Sequence, residues 1–350
     1  MRLLVRHLQR LSDAYENSAR FLGMELVLGP AADRLPLDEG LQRARTLSRL
    51  LVSTTYEGHS MRREMERAFA CSPETAAELT GGWFERQLRD FVFLRRIAAG
   101  LPLPELERVT QTGAAAAIEL VSQPGRLIIA TGHFAREAAI ALYSARYTPG
   151  AVHTVWAPVE APRYRPYPLR MGLQFATLLA AVRALRGAEG RLIHVEEKGA
   201  AFRTLARLLS EDQEKINISV DSYWHKGRST TYERPFAGEA RKILSVGPAR
   251  LARVTQTPVV VCVPYVGARG EIVLEWSGPF APPAPDADDQ VYALTDVMLG
   301  LFEAAVGERP TQYVAAVGGD RRWHPATRRW RALPDASSAA SSPQHRSGSA

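Results

Sequence analysis

Apolar residues recur at helical spacing through the first 110 residues of the chain. Stripes of this kind run over residues 41–51 and 61–69. A longer stripe begins at Ser72-Pro73, where serine suits the N-cap and proline the first helical position, and it ends before Leu101-Pro102. The pattern predicts a helical N-terminal region over residues 1–110.

From residue 111 onward, short apolar runs alternate with helical stretches. The runs predicted as strands are 127–130, 152–156, 192–195, 216–220, 259–263 and 272–276, and the predicted helices lie near 134–146, 168–186, 199–210, 246–256 and 290–306. Strands that are apolar throughout are typical of parallel sheets buried on both faces. The sequence therefore predicts an α/β domain over 111–330, with a mainly parallel, twisted sheet and helices on both of its faces, preceded by the helical arm. Residues 331–350 contain few large apolar side chains and are predicted to be disordered.

The amino-acid composition limits the classes of protein to which the chain can belong. With 46% apolar residues among 350, the chain can bury a large core. No apolar run approaches the ~18 residues that a membrane-spanning helix needs, and the N-terminus does not follow the pattern of a secretory signal. The two cysteines, Cys71 and Cys262, show no metal-binding spacing, so we expect a reducing, cytoplasmic setting and no metal.

The excess of basic over acidic residues is compatible with several kinds of binding partner. The net charge of +7 is compatible with nucleic acid, an anionic membrane surface or an acidic substrate. Residues 1–15 combine leucines at helical spacing with several arginines, which fits either peripheral membrane contact or a helix packed on the domain. Nucleic-acid binding lacks any cluster of basic and aromatic residues to support it.

One histidine lies where α/β proteins bind ligands. His133 follows the predicted strand 127–130 and a glycine, at the start of a helical pattern. Ligands of open α/β sheets bind outside the carboxyl ends of the strands, so His133 is a candidate catalytic residue. Glu137 follows one helical turn later, where its carboxylate can face the imidazole. Both residues fit structural roles as well, in a turn and in the first turn of a helix.

Several blocks occur in the order seen in a known family. They are the His133-Phe134 pair, the Asp221 strand end, the stretch from Pro235 to Val260 containing Pro-Phe-x-Gly and Gly-Pro-x-x-Leu-Ala, and Arg321-Arg322-Trp323. Together with the helical region 61–87, they resemble the lysophospholipid acyltransferase superfamily, and within it the bacterial late acyltransferases of lipid A biosynthesis. The resemblance spans about residues 40–330.

That resemblance implies transfer of a fatty acyl chain from a coenzyme A or acyl-carrier-protein thioester to a hydroxyl or amine, with His133 as general base and Glu137 as its acid. In the family four residues separate the two, whereas three separate them here. The acid has therefore either shifted by one position or been lost as a functional partner. Histidine, with an ordinary pKa of ~6.5, is suited to take a proton near neutral pH, and a thiolate leaves readily, so no nucleophile on the enzyme and no bound cofactor are required.

The resemblance also suggests which residues bind substrate. Arg321 and Arg322 match a basic pair of the family and are candidates for the phosphates of the donor or for an anionic acceptor. Weaker candidates for substrate binding are Asp221, Arg228 and Gly247, and the apolar candidates for an acyl tunnel are Phe175, Leu178, Leu179 and Val182. Asp221 can equally cap the loop after its strand. The alternative function is that of a non-catalytic lipid-binding relative in which the shifted acid marks a decayed site.

Overall fold

The fold is known from a computed structural model of the chain. It describes residues 24–101, 109–134, 148–156, 176–177, 180–181, 184, 192–194, 200–211, 214–221, 231–236, 239–268, 271–313, 321–324 and 329–332. Predictions for residues 1–15, for the helix near 134–146, for most of the helix near 168–186 and for residues 333–350 of the predicted disordered tail lie outside these ranges. Residues 331 and 332 of that predicted tail belong to a strand instead, because they pair with residues 321 and 322.

Four helices precede the sheet: α1 (24–34), α2 (Leu37–Thr54), α3 (Tyr56–Phe69) and α4 (Pro73–Ala98). The hydroxyl of Ser72 accepts a hydrogen bond from the backbone N–H of Thr75, at 3.3 Å, so the predicted N-cap of α4 is confirmed. Helices α1, α2 and α4 share an apolar core that includes Leu28, Ala44 and Phe84. Arg96 on α4 donates to the carbonyls of residues 32 and 35 and so satisfies the last turn of α1.

A seven-stranded sheet forms the centre of the α/β part, and its strands are β1 (Thr110–Gly113), β2 (Leu127–Thr131), β3 (Val152–Trp156), β4 (Leu192–His194), β5 (Lys215–Ser219), β8 (Val259–Val266) and β9 (Ile272–Phe280). Across the sheet they lie in the order β1-β9-β8-β2-β5-β3-β4. Every neighbouring pair is parallel except β8 with β9. The prediction of an α/β fold with a mainly parallel sheet is therefore confirmed.

Helices cover both faces of the sheet. On one face, α5 (Ala115–Ser122) packs on Leu127 and Ile129 of β2. On the other face, Ile128 and Ala130 of the same strand lie in the main core with residues of α6 (Ala200–Ser210), α7 (Gly247–Thr255) and α8 (Asp288–Glu308). Side chains alternate between the faces of a strand, which explains why β2 is apolar at four successive positions.

Two hairpins were not predicted from the sequence. They pair β6 (Thr231–Phe236) with β7 (Glu239–Ser245), and β10 (Arg321–His324) with β11 (Arg329–Ala332). Their strands are rich in charged residues, because a two-stranded ribbon outside the main sheet is not buried on both faces. Arg234 holds the β6–β7 hairpin to α8 through ion pairs with Asp296 and Glu303, both at 2.7 Å.

Within the part of the chain that the structure describes, no helix combines the length and the apolar character needed to cross a bilayer.

Candidate active site

The loop after β2 places His133 at the carboxyl edge of the sheet. β2 ends at Thr131, and Gly132, His133 and Phe134 follow it. Phe134 is fully buried, whereas the His133 side chain retains 36% of its exposure. The imidazole is thus held by a buried neighbour and still faces the surface. The sequence placed His133 correctly at this strand end.

Asp221 lies beside it, at the end of the neighbouring strand. β5 runs parallel to β2, and the N–H of Val220 donates to the carbonyl of Thr131 at 2.8 Å, so the two strand ends stay in register. The carboxylate of Asp221 accepts the backbone N–H of His133 at 2.9 Å and contacts Nδ1 of its ring at 2.7 Å. The Asp221 side chain is 1% exposed. Both carboxylate oxygens of Asp221 therefore contact the same residue, His133.

This geometry orients the imidazole. A carboxylate at Nδ1 favours the tautomer with the proton on that nitrogen, so the basic lone pair lies on Nε2. The same carboxylate stabilises the imidazolium that forms when Nε2 takes a proton. The pair has the relation of base and orienting acid found in hydrolytic triads, here with an aspartate 88 residues away in the chain.

Because Gly132 has no side chain, the Phe302 ring and the Asp221 carboxylate can lie close to the His133 loop. A Cβ atom at this position would lie 2.9 Å from the Phe302 ring on α8 and 3.4 Å from Cγ of Asp221. Carbon atoms pack at about 3.5–4.0 Å, so a side chain here would displace either the ring or the loop.

We expect Gly132→Ala to lower kcat by about 10- to 100-fold, because a shift of the loop moves the imidazole from the carboxylate. Steady-state kinetics of the acyl transfer proposed below would measure this. A second substitution, Phe302→Leu, makes room for the methyl group and should restore part of the rate. Full activity of Gly132→Ala alone would contradict the tight packing.

Three aromatic residues form the wall behind the histidine loop. Phe134 and Tyr313 have ring centroids 5.7 Å apart, and Phe236 lies 6.2 Å from Tyr313. All three are at most 1% exposed. Phe236 belongs to the Pro-Phe-x-Gly block that contributed to the resemblance, and its place in this wall gives that part of the block a packing role.

The structure places three of the other predicted site residues, and the rest lie outside the described ranges. Gly247 begins α7, and its N–H donates to the hydroxyl of Ser245 at 3.1 Å. Ser245 in turn donates its backbone N–H to the carbonyl of Val220, which sets the start of α7 next to the strand end that carries Asp221. Arg321 and Arg322 lie on β10, opposite Ala332 and Arg331 of β11. Glu137, Arg228 and the apolar candidates Phe175, Leu178, Leu179 and Val182 fall outside the described residues.

Sequence reasoning did not pair Asp221 with His133. It assigned Asp221 to substrate binding or to loop capping, and it gave His133 the acid nearest in sequence. The available signal was that both residues end apolar strands of a parallel sheet. What the sequence does not contain is the adjacency of β2 and β5, which are separated along the chain by β3 and β4.

Neither cysteine is arranged as a nucleophile. Cys262 is fully buried on β8, and burial raises the pKa of its thiol well above the ordinary value. Burial also raises the pKa of the Cys71 thiol. A thiol is a poor nucleophile until it ionises, so a raised pKa disfavours both cysteines as nucleophiles.

A comparison of the sequence with models of known protein families finds no match, and a comparison with curated proteins finds none either.

Proposed function

We propose that this protein is an acyltransferase that moves a fatty acyl chain from a coenzyme A or acyl-carrier-protein thioester to a hydroxyl or amine acceptor. The observation that carries the proposal is the contact between Nδ1 of His133 and the buried carboxylate of Asp221, at 2.7 Å, at the carboxyl edge of a mainly parallel sheet. The ordered sequence blocks that resemble the lysophospholipid acyltransferase superfamily indicate the class of reaction.

In the proposed reaction Nε2 of His133 takes the proton of the acceptor as its oxygen or nitrogen attacks the thioester carbonyl. The tetrahedral intermediate then collapses, the carbon–sulfur bond breaks, and the imidazolium returns the proton to the leaving thiolate. Asp221 accepts a hydrogen bond from Nδ1–H throughout, without taking the proton, and stabilises the imidazolium. The acyl group passes directly from sulfur to the acceptor, so the step needs no side-chain nucleophile.

The remaining assignments extend the proposal to the substrates. Arg321, Arg322 and Arg228 would bind the phosphates of the donor or an anionic acceptor, since guanidinium groups suit phosphate oxygens. Gly247 would contact the bound substrate, and Glu137 would supply a further carboxylate near the ring. A cytoplasmic location, with peripheral membrane contact through residues 1–15, belongs to the same proposal.

The contact with Asp221 favours a catalytic site over a decayed one. The alternative of a non-catalytic lipid-binding relative rests on the spacing between His133 and Glu137. Asp221 supplies a carboxylate to the imidazole whatever Glu137 does. A buried carboxylate that contacts Nδ1 is the arrangement that orients a histidine base in hydrolytic triads.

Purified full-length protein should release free thiol from acyl-coenzyme A or from acyl-carrier protein in the presence of a suitable acceptor. Release of the thiol would be followed with a chromogenic reagent, and the acylated product by mass spectrometry over a panel of glycolipids, polyols and amines. The product should appear in proportion to the thiol released, because the acyl group goes directly to the acceptor.

The control is His133→Ala, which should melt within a few degrees of the wild type and form no product. If the wild type consumes neither donor with any acceptor of the panel while still binding acyl chains, the lipid-binding alternative is favoured. If His133→Ala retains turnover, the base has been assigned wrongly.

A further inference from the structure

The segment after α8, residues 309–313, contacts several separate parts of the molecule, and we call it the anchor segment. We propose that the anchor segment positions the His133 loop for catalysis, with Gln312 and Tyr313 as its positioning residues. This inference rests on the function proposed above. It adds residues that do not touch the reacting groups and that the sequence did not single out.

Gln312 fixes the anchor segment to the end of β8. Its side-chain Oε1 accepts the N–H of Val266 at 2.8 Å, and its Nε2 donates to the carbonyl of the same residue at 3.0 Å. One amide side chain thus pairs with both backbone groups of a strand residue, as a neighbouring strand would. β8 lies next to β2 in the sheet, so this contact sets the anchor segment beside the strand that ends in the His133 loop.

Tyr313 connects the anchor segment to the His133 loop. Its backbone forms an isolated antiparallel bridge with Phe134, the residue after His133, and its ring packs on the Phe134 ring. Both side chains are buried, so a shift of Tyr313 cannot be absorbed by solvent. The loop is therefore held on one side by Asp221 and on the other by Tyr313.

Two arginines add contacts that hold the segment, Arg86 from α4 and Arg309 from within the segment itself. Arg86 on α4 donates to the carbonyl of Thr311 at 2.9 Å, which connects the helical N-terminal part to the anchor segment. Burial lowers the pKa of Arg86. Arg309 lies over the Tyr265 ring at 3.8 Å and forms ion pairs with Glu275 and Glu308. Each contact holds residues 309–313 at a point other than the loop itself.

The test compares Gln312→Ala with Gln256→Ala. Gln256 also donates its amide to two backbone carbonyls, of Arg253 and Pro283, but it lies at the far end of α7, just before β8 enters the sheet. We expect Gln312→Ala to lower kcat by about 10- to 100-fold and to change KM by less than about threefold, because a misplaced base slows chemistry more than binding. Gln256→Ala should leave both constants near those of the wild type. Arg86→Met, which loosens the same segment at another point, should act like Gln312→Ala.

A spectroscopic measurement makes the test independent of turnover. An imidazole N–H held by a carboxylate gives a far-downfield proton resonance, and His133 and His153, the latter 2.5 Å from Glu214, are both candidate sources. The His133→Ala variant assigns the signal of His133. That signal should weaken or shift in Gln312→Ala and in Arg86→Met and persist in Gln256→Ala, even if the wild type transfers no acyl group.

Wild-type kcat together with an unchanged His133 signal in both Gln312→Ala and Arg86→Met would overturn the proposal. So would an equal loss of rate in Gln256→Ala, because that would indicate a general effect of losing an amide contact. If the wild type fails to transfer acyl groups while the signal responds as expected, the proposed function fails and the positioning role stands.

Discussion

Replacing Asp221 by asparagine is expected to lower kcat for acyl transfer by about 10²- to 10⁴-fold while the protein remains folded. Asparagine has nearly the same shape, but it presents an amide in place of a carboxylate. It can favour the wrong imidazole tautomer, and it cannot stabilise the imidazolium. Since the Asp221 side chain is buried and both of its oxygens contact His133, solvent cannot replace it.

Combining Asp221→Asn with His133→Ala tests whether the two residues act as a unit. His133→Ala alone should reduce kcat at least as far as Asp221→Asn, and the double variant should be no slower than His133→Ala, because residues that act as a unit are not additive. Glu137→Gln provides the comparison for the acid that the sequence suggested. Near-normal activity of Asp221→Asn together with an inactive Glu137→Gln would transfer the orienting role to Glu137. Melting curves of all variants would separate loss of chemistry from loss of fold.

Replacing Lys215 by methionine is expected to destabilise the protein by about 3–5 kcal/mol and to lower its melting temperature by about 10 °C. Lys215 begins β5, and its side chain is 1% exposed. Its Nζ donates to the carbonyl of Val121 at 3.1 Å, to that of Pro149 at 3.2 Å and to that of Gln123. Methionine fills a similar volume but leaves three carbonyls without this donor.

Arg126→Met is the matched control, because it removes a nearby cation that makes no hydrogen bond or ion pair within the described ranges. It should change the free energy of unfolding by no more than about 0.5 kcal/mol. Chemical denaturation, monitored by circular dichroism, would measure both variants. A Lys215→Met protein as stable as the Arg126→Met protein would show that the three carbonyls find other donors.

The sequence predicted the elements that depend on local patterns. The apolar run at 127–130 became β2, because a strand covered on both faces must be apolar at every position. Ser72-Pro73 became the start of α4, because a serine side chain can satisfy an N–H that the helix leaves exposed. The position of His133 followed from the same reasoning, since it needed only the end of one strand.

Contacts between distant segments were not available from such patterns. The antiparallel direction of β9 depends on how the chain turns between two apolar strands, and both directions bury the same side chains. The docking of residues 309–313 depends on a single amide side chain reaching the end of β8. Neither the direction of β9 nor the docking of residues 309–313 produces a periodic pattern of apolar and polar residues in the sequence.

By itself, then, the sequence determined an α/β protein with a helical N-terminal part and a histidine at the edge of its sheet. Only the tertiary structure showed that Asp221 contacts that histidine. The two residues are 88 positions apart in the chain, and the order of strands in the sheet brings the Asp221 carboxylate to the imidazole. The physical reason is that burial and periodicity specify which residues form a strand, whereas the neighbour of that strand is selected by packing over the whole core.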